Sequence, residues 1–399
     1  MAEQLKITPE MWELVPREEV IKDKIVRKSL TYWEDVWRRL KHNTLSIIGL
    51  VIIVFMIVLA VGGPFISKFA YSDQDLKMAN IPPTVEIFEY DGKYYNIHKE
   101  YKIIEFTQKG ETISGFTPKE DNKILKFRTY EINGHTFKVD YSMAAKAKND
   151  SSLAKYELSI DNAPYKIENS KKVWNKTYWF GTDTLGRDIF VRNIYGARIS
   201  LTIALMATLV QFFIGVVYGG ISGYVGGAVD NLMMRIVDLI NSIPLLLYVI
   251  LLMVVMGAGL VTIMVALGSV YWVLMARLVR GQVLSIKENE FVLAARTLGA
   301  SSWRIMVKHL IPNAMGPIIV SLAMMVPSAI FSEAFLSFVG LGVSAPQASW
   351  GTLANDAMAG LRTYPYQLFI PSFFISMTVL SFNFLGDGLR DALDPRLRK

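Results

Sequence analysis

Apolar residues along this chain gather into long uncharged runs separated by short polar breaks and two long polar stretches. Residues 43–67 contain no Asp, Glu, Lys or Arg, a run long enough to cross the ~30 Å hydrocarbon core of a bilayer as a helix. Residues 199–229 form a second run that ends in a glycine-rich stretch, GVVYGGISGYVGG, where small side chains allow helices to approach closely. Asp230 and Arg235 then mark a short turn. Residues 239–276 are again free of charge and long enough for two spans, with the break at Gly257-Ala258-Gly259 and a kink at Ser242-Ile243-Pro244. Residues 313–343, interrupted only by Glu333, and 363–386 complete six predicted spans. Between these last two, residues 344–362 form a polar segment whose SAPQASWG stretch could re-enter the membrane edge. Before the first run, residues 29–41 place Trp33, Val36, Trp37 and Leu40 on one side of an amphipathic helix, which would lie in the membrane interface.

The polar stretch 68–178 has a different period. VEIFEY and KYYNIH flank Asp91-Gly92, and TYEI and HTFKVDY flank Asn133-Gly134. Both dipeptides favour the type I′ turn that matches strand twist. IIEFTQ and ETISGF around Lys109-Gly110 form a third pair. The expectation is a small, mostly antiparallel β domain inserted between the first two spans, large enough for a core of its own. Its acidic residues alternate with lysines as on a solvated face, and its position suggests a part in docking an extracytoplasmic protein or covering the outer mouth.

The second long polar stretch, 277–312, stands between two spans and reads as helix, break, helix. Val283, Ile286, Phe291, Ala294, Ala295 and Leu298 recur at helical spacing. Gly299 sits where a left-handed C-cap residue is wanted. Ser301 or Ser302 can cap the next helix, in which Trp303, Ile305, Met306, Val307 and Leu310 continue the pattern until Pro312 stops it. Such a hairpin is a docking lobe for something outside the membrane.

Charge fixes the topology. Arg38, Arg39 and Lys41 precede the first span, and residues 277–310 hold six Lys/Arg against two Glu. Four crossings from an inside N-terminus bring the chain back inside at 277, as the positive-inside rule requires. Both termini, including the basic GDGLRDALDPRLRK tail, are then cytoplasmic. The expected organisation is a tail over 1–42, a first transmembrane helix over 43–67, a β-rich insertion over 68–178 and a transmembrane domain over 179–399. Composition agrees: 52% hydrophobic and 19% charged residues, with a mean hydropathy of +0.31, suit a multi-pass membrane protein. The net charge of +7 flanks the spans and reads as topology rather than nucleic-acid binding. With no cysteine and four scattered histidines (42, 98, 135, 309), thiol chemistry is excluded and a His-rich metal site is not expected. The polar first forty residues are not expected to act as a cleavable signal peptide.

The stretch 277–312 resembles the EAA loop of ABC importer permeases, whose pattern is E-A-A, three residues, Gly, nine residues, Ile, one residue, Leu-Pro. Ala294, Ala295, Gly299 and Pro312 match, with Ile311 at the Leu position; Leu293 stands in place of the Glu and His309 in place of the Ile. The run FGTDTLGRDIFVRNIYGARIS, at 180–200, resembles a signature of the dipeptide/oligopeptide subfamily through Phe180, Gly181, Thr182, Asp183, Gly186, Arg187, Asp188, Arg192, Gly196, Arg198 and Ser200. EAFLSFVGLGV at 333–343 and the C-terminal tail resemble it too, while the insertion over 70–176 is uncovered. The resemblance implies an all-α type I ABC importer permease fold of about six transmembrane helices, carrying the β-rich domain as an insertion. It implies a C-type permease subunit for di- or oligopeptides in the cell membrane, paired in a heterodimer with a second permease. Two cytoplasmic ATPase subunits would hold ATP and Mg, and an extracytoplasmic binding protein would deliver peptide. On this view Ala294, Ala295, Arg296, Thr297, Leu298, Gly299, Ala300, Ser301, Ser302 and Pro312 are the ATPase-coupling loop.

Candidate chemistry is sparse. Asp183, Arg187, Asp188 and Arg192 alternate in sign, and the spacing of Asp188 and Arg192 suits an ion pair; the signature is a structural elbow held by such pairs, or a substrate contact. Glu333 is a carboxylate inside a span, hence a pathway group or a buried contact to a neighbouring helix or partner subunit. No G-x-x-x-x-G-K-[ST] loop, nucleophile–base pair or carboxylate pair stands out; the chain is not itself expected to be an enzyme, nor to hold a cofactor or metal. Other readings are a permease of the same subfamily for nickel or another small solute, an ATP-independent channel or carrier, and a membrane-anchored receptor.

Overall fold

The computed structural model describes residues 31–144 and 155–394; the first thirty residues of the expected N-terminal tail, and residues 395–399 of the basic C-terminal tail, lie outside the described residues. Helix α1 (Tyr32–His42) starts at a capping box in which Thr31 and Glu34 exchange bonds. Its expected apolar side divides. Val36 and Leu40 are buried among residues near the C-terminal end of the chain, whereas Trp33 and Trp37 are exposed. Helix α2 (Thr44–Ile66) follows at once, capped by Asn43, and is the first candidate span.

Among the described residues five helices are long and apolar enough to cross a membrane, or six if one bent pair is counted as a single span. Helix α3 (Ile189–Val225) begins ten residues earlier than hydropathy places it. Its first turns carry Arg192 and Asn193, which read as loop by hydropathy but are buried here. The turn expected at Asp230 and Arg235 falls instead at Gly226-Gly227, both with positive φ, and those two residues lie inside α4 (Gly227–Ser242). An 85° bend separates α4 from α5 (Leu245–Met256). Pro244 explains it: the ring forces Ile243 out of the helical region, to ψ 121°. The expected break at Gly257–Gly259 is present, and α6 (Leu260–Ile286) follows it.

Helices α3 and α6 pack most closely. A Cβ on Gly219 would lie 2.3 Å from the Ala276 carbonyl oxygen, and one on Gly215 would lie 2.5 Å from Cβ of Met275. These glycines, one turn apart, let the backbones touch. Beyond the polar loop come α7 (Glu290–Thr297), the single turn α8 (Ser302–Ile305) and the span α9 (Ile311–Leu336). A short helix, α10 (Trp350–Met358), and the last span, α11 (Tyr366–Leu393), complete the helical domain. Helix α10 is anchored by Trp350, which is fully buried, stacks on Phe374 and donates its indole N–H to the Asn193 carbonyl at 3.0 Å.

The insertion is two five-stranded antiparallel sheets. One has the order β10-β1-β2-β3-β4, built from β1 (Thr84–Tyr90), β2 (Lys93–Ile97), β3 (Ile103–Phe106), β4 (Thr112–Gly115) and β10 (Ser170–Trp174). The other runs in sequence order through β5 (Glu120–Asn122), β6 (Phe127–Ile132), β7 (His135–Asp140), β8 (Glu157–Ile160) and β9 (Ala163–Tyr165). All three expected hairpins form. Asp91, Gly92, Asn133 and Gly134 have positive φ, as type I′ turns demand. The two sheets share one core, with Phe88, Tyr95 and Ile103 packed against Tyr130, Ile132, Phe137 and Val139.

A polar seam ties this domain to the helices. Glu100 accepts from Asn80 at 2.7 Å and from the Tyr364 hydroxyl at 2.9 Å, and Gln367 donates to Asn80 at 3.0 Å. His98, 4% exposed and stacked on Tyr364, lies in the same seam. Burial pushes its imidazole down to about 4. The folded pKa is thus below the unfolded value, so this contribution to stability is complete above about pH 6.5 and is lost as pH falls towards 4, by up to roughly 3 kcal/mol. Asp188 opposes it, because burial pushes that carboxyl up to about 6. The expected result is that His98→Phe, which keeps the ring stack, flattens the fall in melting temperature between pH 6.5 and 4.5. An unchanged pH profile in that variant would refute this role for the imidazole.

Candidate functional site

The polar loop after α6 is helical but not as one element. Helix α6 stops at Ile286, and α7 starts afresh at Glu290 after three extended or turning residues. The break resets the helical phase. Val292 is buried and Ala295 partly so, while Phe291, Ala294 and Leu298, expected to continue the helical spacing of Val283 and Ile286, are exposed. Leu298 is 88% exposed and Trp303 63%. Together with Phe291 and Leu293 they leave an apolar crown on the tip of the loop.

Gly299 terminates α7 with φ +77°. The Ala300 N–H donates to Ala295 O at 3.1 Å and the Gly299 N–H to Arg296 O at 3.0 Å, which is the Schellman arrangement of a helix C-terminus. Ala295 and Ala300, both partly buried, close it against Val292 and Ile305. Ser301, not Ser302, caps α8 by accepting from the Arg304 N–H. Arg296 and Thr297 fall in the last turn of α7 and are exposed. Pro312 does not stop the helix. A π turn over Met306–Leu310 feeds α8 directly into α9, with the Ile311 N–H reaching back to Met306 O. The wider turn accommodates a residue that lacks an N–H, and the helical path continues from Ser302 to Leu341.

Behind the loop stands a brace between residues fifty positions apart, a pair that no local spacing points to. Arg280 grips Asp230 bidentately, Nε to Oδ1 and Nη2 to Oδ2 both at 2.6 Å, and Ser222 also bonds Asp230. Lys287 donates to the Gly223 carbonyl at 3.1 Å. The base of the loop is thereby held to α3 and α4.

The signature residues gather at the opposite end of the helices, where the insertion joins. Asp183 is the hub. It accepts from Arg187 Nε at 2.7 Å, Arg192 Nη1 at 2.6 Å and the N–H groups of Leu185 and Arg187, each at 2.9 Å. Asp356 of α10 lies 3.6 Å from Arg192. The expected Asp188–Arg192 pair does not form: Asp188 caps α3 by accepting from the Phe190 N–H at 2.8 Å, and Arg192 turns to Asp183. Gly181 and Gly186 have positive φ and lie against backbone, a Cβ at Gly186 meeting the Asp75 carbonyl oxygen at 1.8 Å. Arg198 is separate from this cluster, exposed and 5.5 Å from the Tyr195 ring.

Glu333 is fully buried. Ser200 of α3 and Ser337 each bond one of its oxygens at 2.7 Å, and Ser349 beside α10 bonds Ser337 at 3.2 Å. Its carboxyl joins α9 to α3 and to the start of α10 within this chain. Among the described residues no group of three or more His, Cys, Asp or Glu could hold a metal ion.

Residues 215–399 match the family described as binding-protein-dependent transport system inner membrane component. Residues 31–83 match the N-terminal TM domain of oligopeptide transport permease C. The dipeptide transport system permease protein DppC of Bacillus subtilis is 41% identical over 399 residues, covering 100% of this chain and 96% of the relative. The oligopeptide permease OppC of the same organism is 40% identical over 377 residues, 94% of each chain. OppC of Escherichia coli is 41% identical over 242 residues, 61% of this chain and 80% of its own. A set of membrane-length helices, a polar hairpin between two of them and full-length identity to these permeases lead to one assignment: the chain is an integral membrane protein of the binding-protein-dependent ABC transport permeases, a non-catalytic subunit in the subfamily of the dipeptide and oligopeptide C-type permeases.

Proposed function

We propose that this chain forms half of the translocation pathway of an ATP-driven importer of di- or oligopeptides, with the loop around Gly299 as its coupling element. The observation that carries this reading is the closed hairpin of α7 and α8, fixed at its base by the Asp230–Arg280 brace and crowned by exposed Phe291, Leu298 and Trp303. An apolar knob on a rigid stem fits a groove on a soluble partner. Relatives named as dipeptide and oligopeptide permeases support the substrate class.

The remaining parts follow from that role. A second permease completes the pathway, and two cytoplasmic ATPase subunits hold ATP and Mg. An extracytoplasmic binding protein delivers peptide. Both termini and the coupling loop face the cytoplasm, and the insertion faces outward. ATP binding closes the ATPase pair, the hairpin from Ala294 to Ser302 carries that motion to the spans, and the pathway opens outward to receive peptide. Such coupling needs an element with two discrete arrangements rather than a yielding one. The test is purification of the tagged chain from its native membrane, then reconstitution with whatever accompanies it. Two ATPases and a second permease that together drive uptake of a labelled dipeptide support the reading. A chain that emerges alone under crosslinking, or a complex that moves nickel and no peptide, overturns it.

The insertion docks the binding protein or covers the outer mouth. It enters and leaves at one point, because the Asn175 N–H bonds the Pro83 carbonyl at 2.8 Å and Thr84 pairs with Trp174. Residues 84–174 can therefore be replaced by a two-residue turn. The expected result is retained assembly with the ATPases and weakened binding of the extracytoplasmic protein. Unchanged affinity and uptake would refute both roles.

A further inference from the structure

The signature run at the insertion end divides into two kinds of arginine. Arg187 and Arg192 are buried and share Asp183, with Asp356 close by. Arg198 lies about 15 Å further along α3, ten residues past the Asp188 cap. Among the described residues its one recorded partner is the ring of Tyr195, at 5.5 Å. Arg198 stands exposed at the edge of the uncharged run 199–229, with no counter-charge beside it among the described residues.

It is kept beside a cavity. The space holds about 250 Å³ and is lined by Tyr71, Tyr195, Arg198, Thr202, Leu260 and Gln347. Tyr71 follows α2, Leu260 begins α6 and Gln347 precedes α10, so the cavity lies at the insertion end of the helices. The Tyr71 and Tyr195 rings lean together with centroids 4.3 Å apart, forming one wall. Thr202 and Gln347 add neutral polar groups, and no acid lines the space.

A guanidinium with free N–H groups, resting near a ring and flanked by neutral donors, selects a planar anion. Its fork matches a carboxylate with two parallel bonds. The volume lies below the ~300–1,000 Å³ of pockets that enclose a drug-sized ligand, so it suits one terminal residue rather than a whole peptide. We propose that Arg198 and this cavity receive the free C-terminal carboxylate of the peptide as it enters the helical domain. This rests on the peptide-importer reading, and it assigns the end of the peptide rather than its side chains as the group recognised.

The test uses the complete transporter in proteoliposomes, with its binding protein in saturating excess. Uptake of trialanine is compared with uptake of its C-terminal amide, for wild type, Arg198→Gln and Arg198→Lys. The ratio of variant to wild type is taken for each peptide separately, which cancels the preference of the binding protein. The expected result is a rise of about ten- to a hundredfold in KM for the free acid in Arg198→Gln, from loss of a charge-assisted contact, and little change for the amide. Arg198→Lys should recover part of the loss, because it keeps the charge without the fork. An equal loss for both peptides overturns the proposal and assigns Arg198 to assembly; the same loss seen only with anionic lipid assigns it to a headgroup phosphate. No loss for either peptide overturns it outright. A wild-type complex that moves neither peptide overturns the importer reading and this proposal with it.

Discussion

Gly299→Val lowers ATP-driven uptake at least tenfold while the variant chain still inserts and folds. The reason is conformational, not steric. Gly299 has φ +77°, and a Cβ built there would have nothing within 4 Å. A valine therefore meets no neighbour, but it cannot hold the left-handed backbone without strain of about 1–3 kcal/mol. The chain relieves that strain by leaving the αL region. The two bonds that close α7, Ala300 to Ala295 and Gly299 to Arg296, then go with it. Helix α7 is no longer tied to α8, and motion imposed on the exposed crown is absorbed in the joint. Gly299→Asn supplies the control, because asparagine tolerates αL, and it should keep most of the uptake. Normal uptake in the valine variant, measured beside ATPase activity, would sink the view of this hairpin as the coupling lever.

Asp183→Ala has the largest effect on stability. It leaves the guanidinium groups of Arg187 and Arg192, 7% and 3% exposed, with only Asp356 at 4.0 and 3.6 Å to answer them. Removing one partner from a buried charged cluster costs about 3–5 kcal/mol. It also strands the N–H groups of Leu185 and Arg187, which Asp183 accepts. The expected outcome is a large fall in the melting temperature of the detergent-solubilised chain and loss of protein from the membrane. Asp183→Asn, which keeps an acceptor but not the charge, should fall between. A melting temperature for the alanine variant equal to wild type would mean that the cluster is solvated rather than buried. Because α3, the insertion and α10 all meet at this residue, the loss should also loosen the insertion.

What could be read from the chain, and what could not, divides by distance. The hairpins at Asp91-Gly92 and Asn133-Gly134 were legible because a turn is set by the residues inside it. Asp161-Asn162 forms another such turn between β8 and β9, with both φ positive, and carries a weaker signal without glycine. The αL cap at Gly299 was legible for the same reason. The interruption of the loop at 287–289 was not, since Lys-Glu-Asn contains neither glycine nor proline; a single helical spacing through it set Phe291 and Leu298 in line with buried Val283, and the break separates them. Pro312 misled because a π turn absorbs the missing N–H. The Arg192 partner was unreadable for a different reason. Spacing offered Asp188 four residues away, but Asp188 caps the helix, and the partners that matter, Asp183 and Asp356, are brought in by the fold. Asp230 and Arg280 are likewise fifty residues apart.

The glycine seam between α3 and α6 limits how this domain can move. Two helices whose backbones touch at Gly215 and Gly219 have no side-chain layer between them to slide on. They behave as one strut. Helix α3 alone has 37 residues, about 55 Å of length. A tilt of only ~5° set at the end braced by Asp230 and Arg280 displaces the far end by on the order of 5 Å over a length of that size. The far end is where Asp183, the insertion and Arg198 sit. Motion delivered at the braced end would therefore reach the far end with the pair turning as one body, not by α3 sliding on α6.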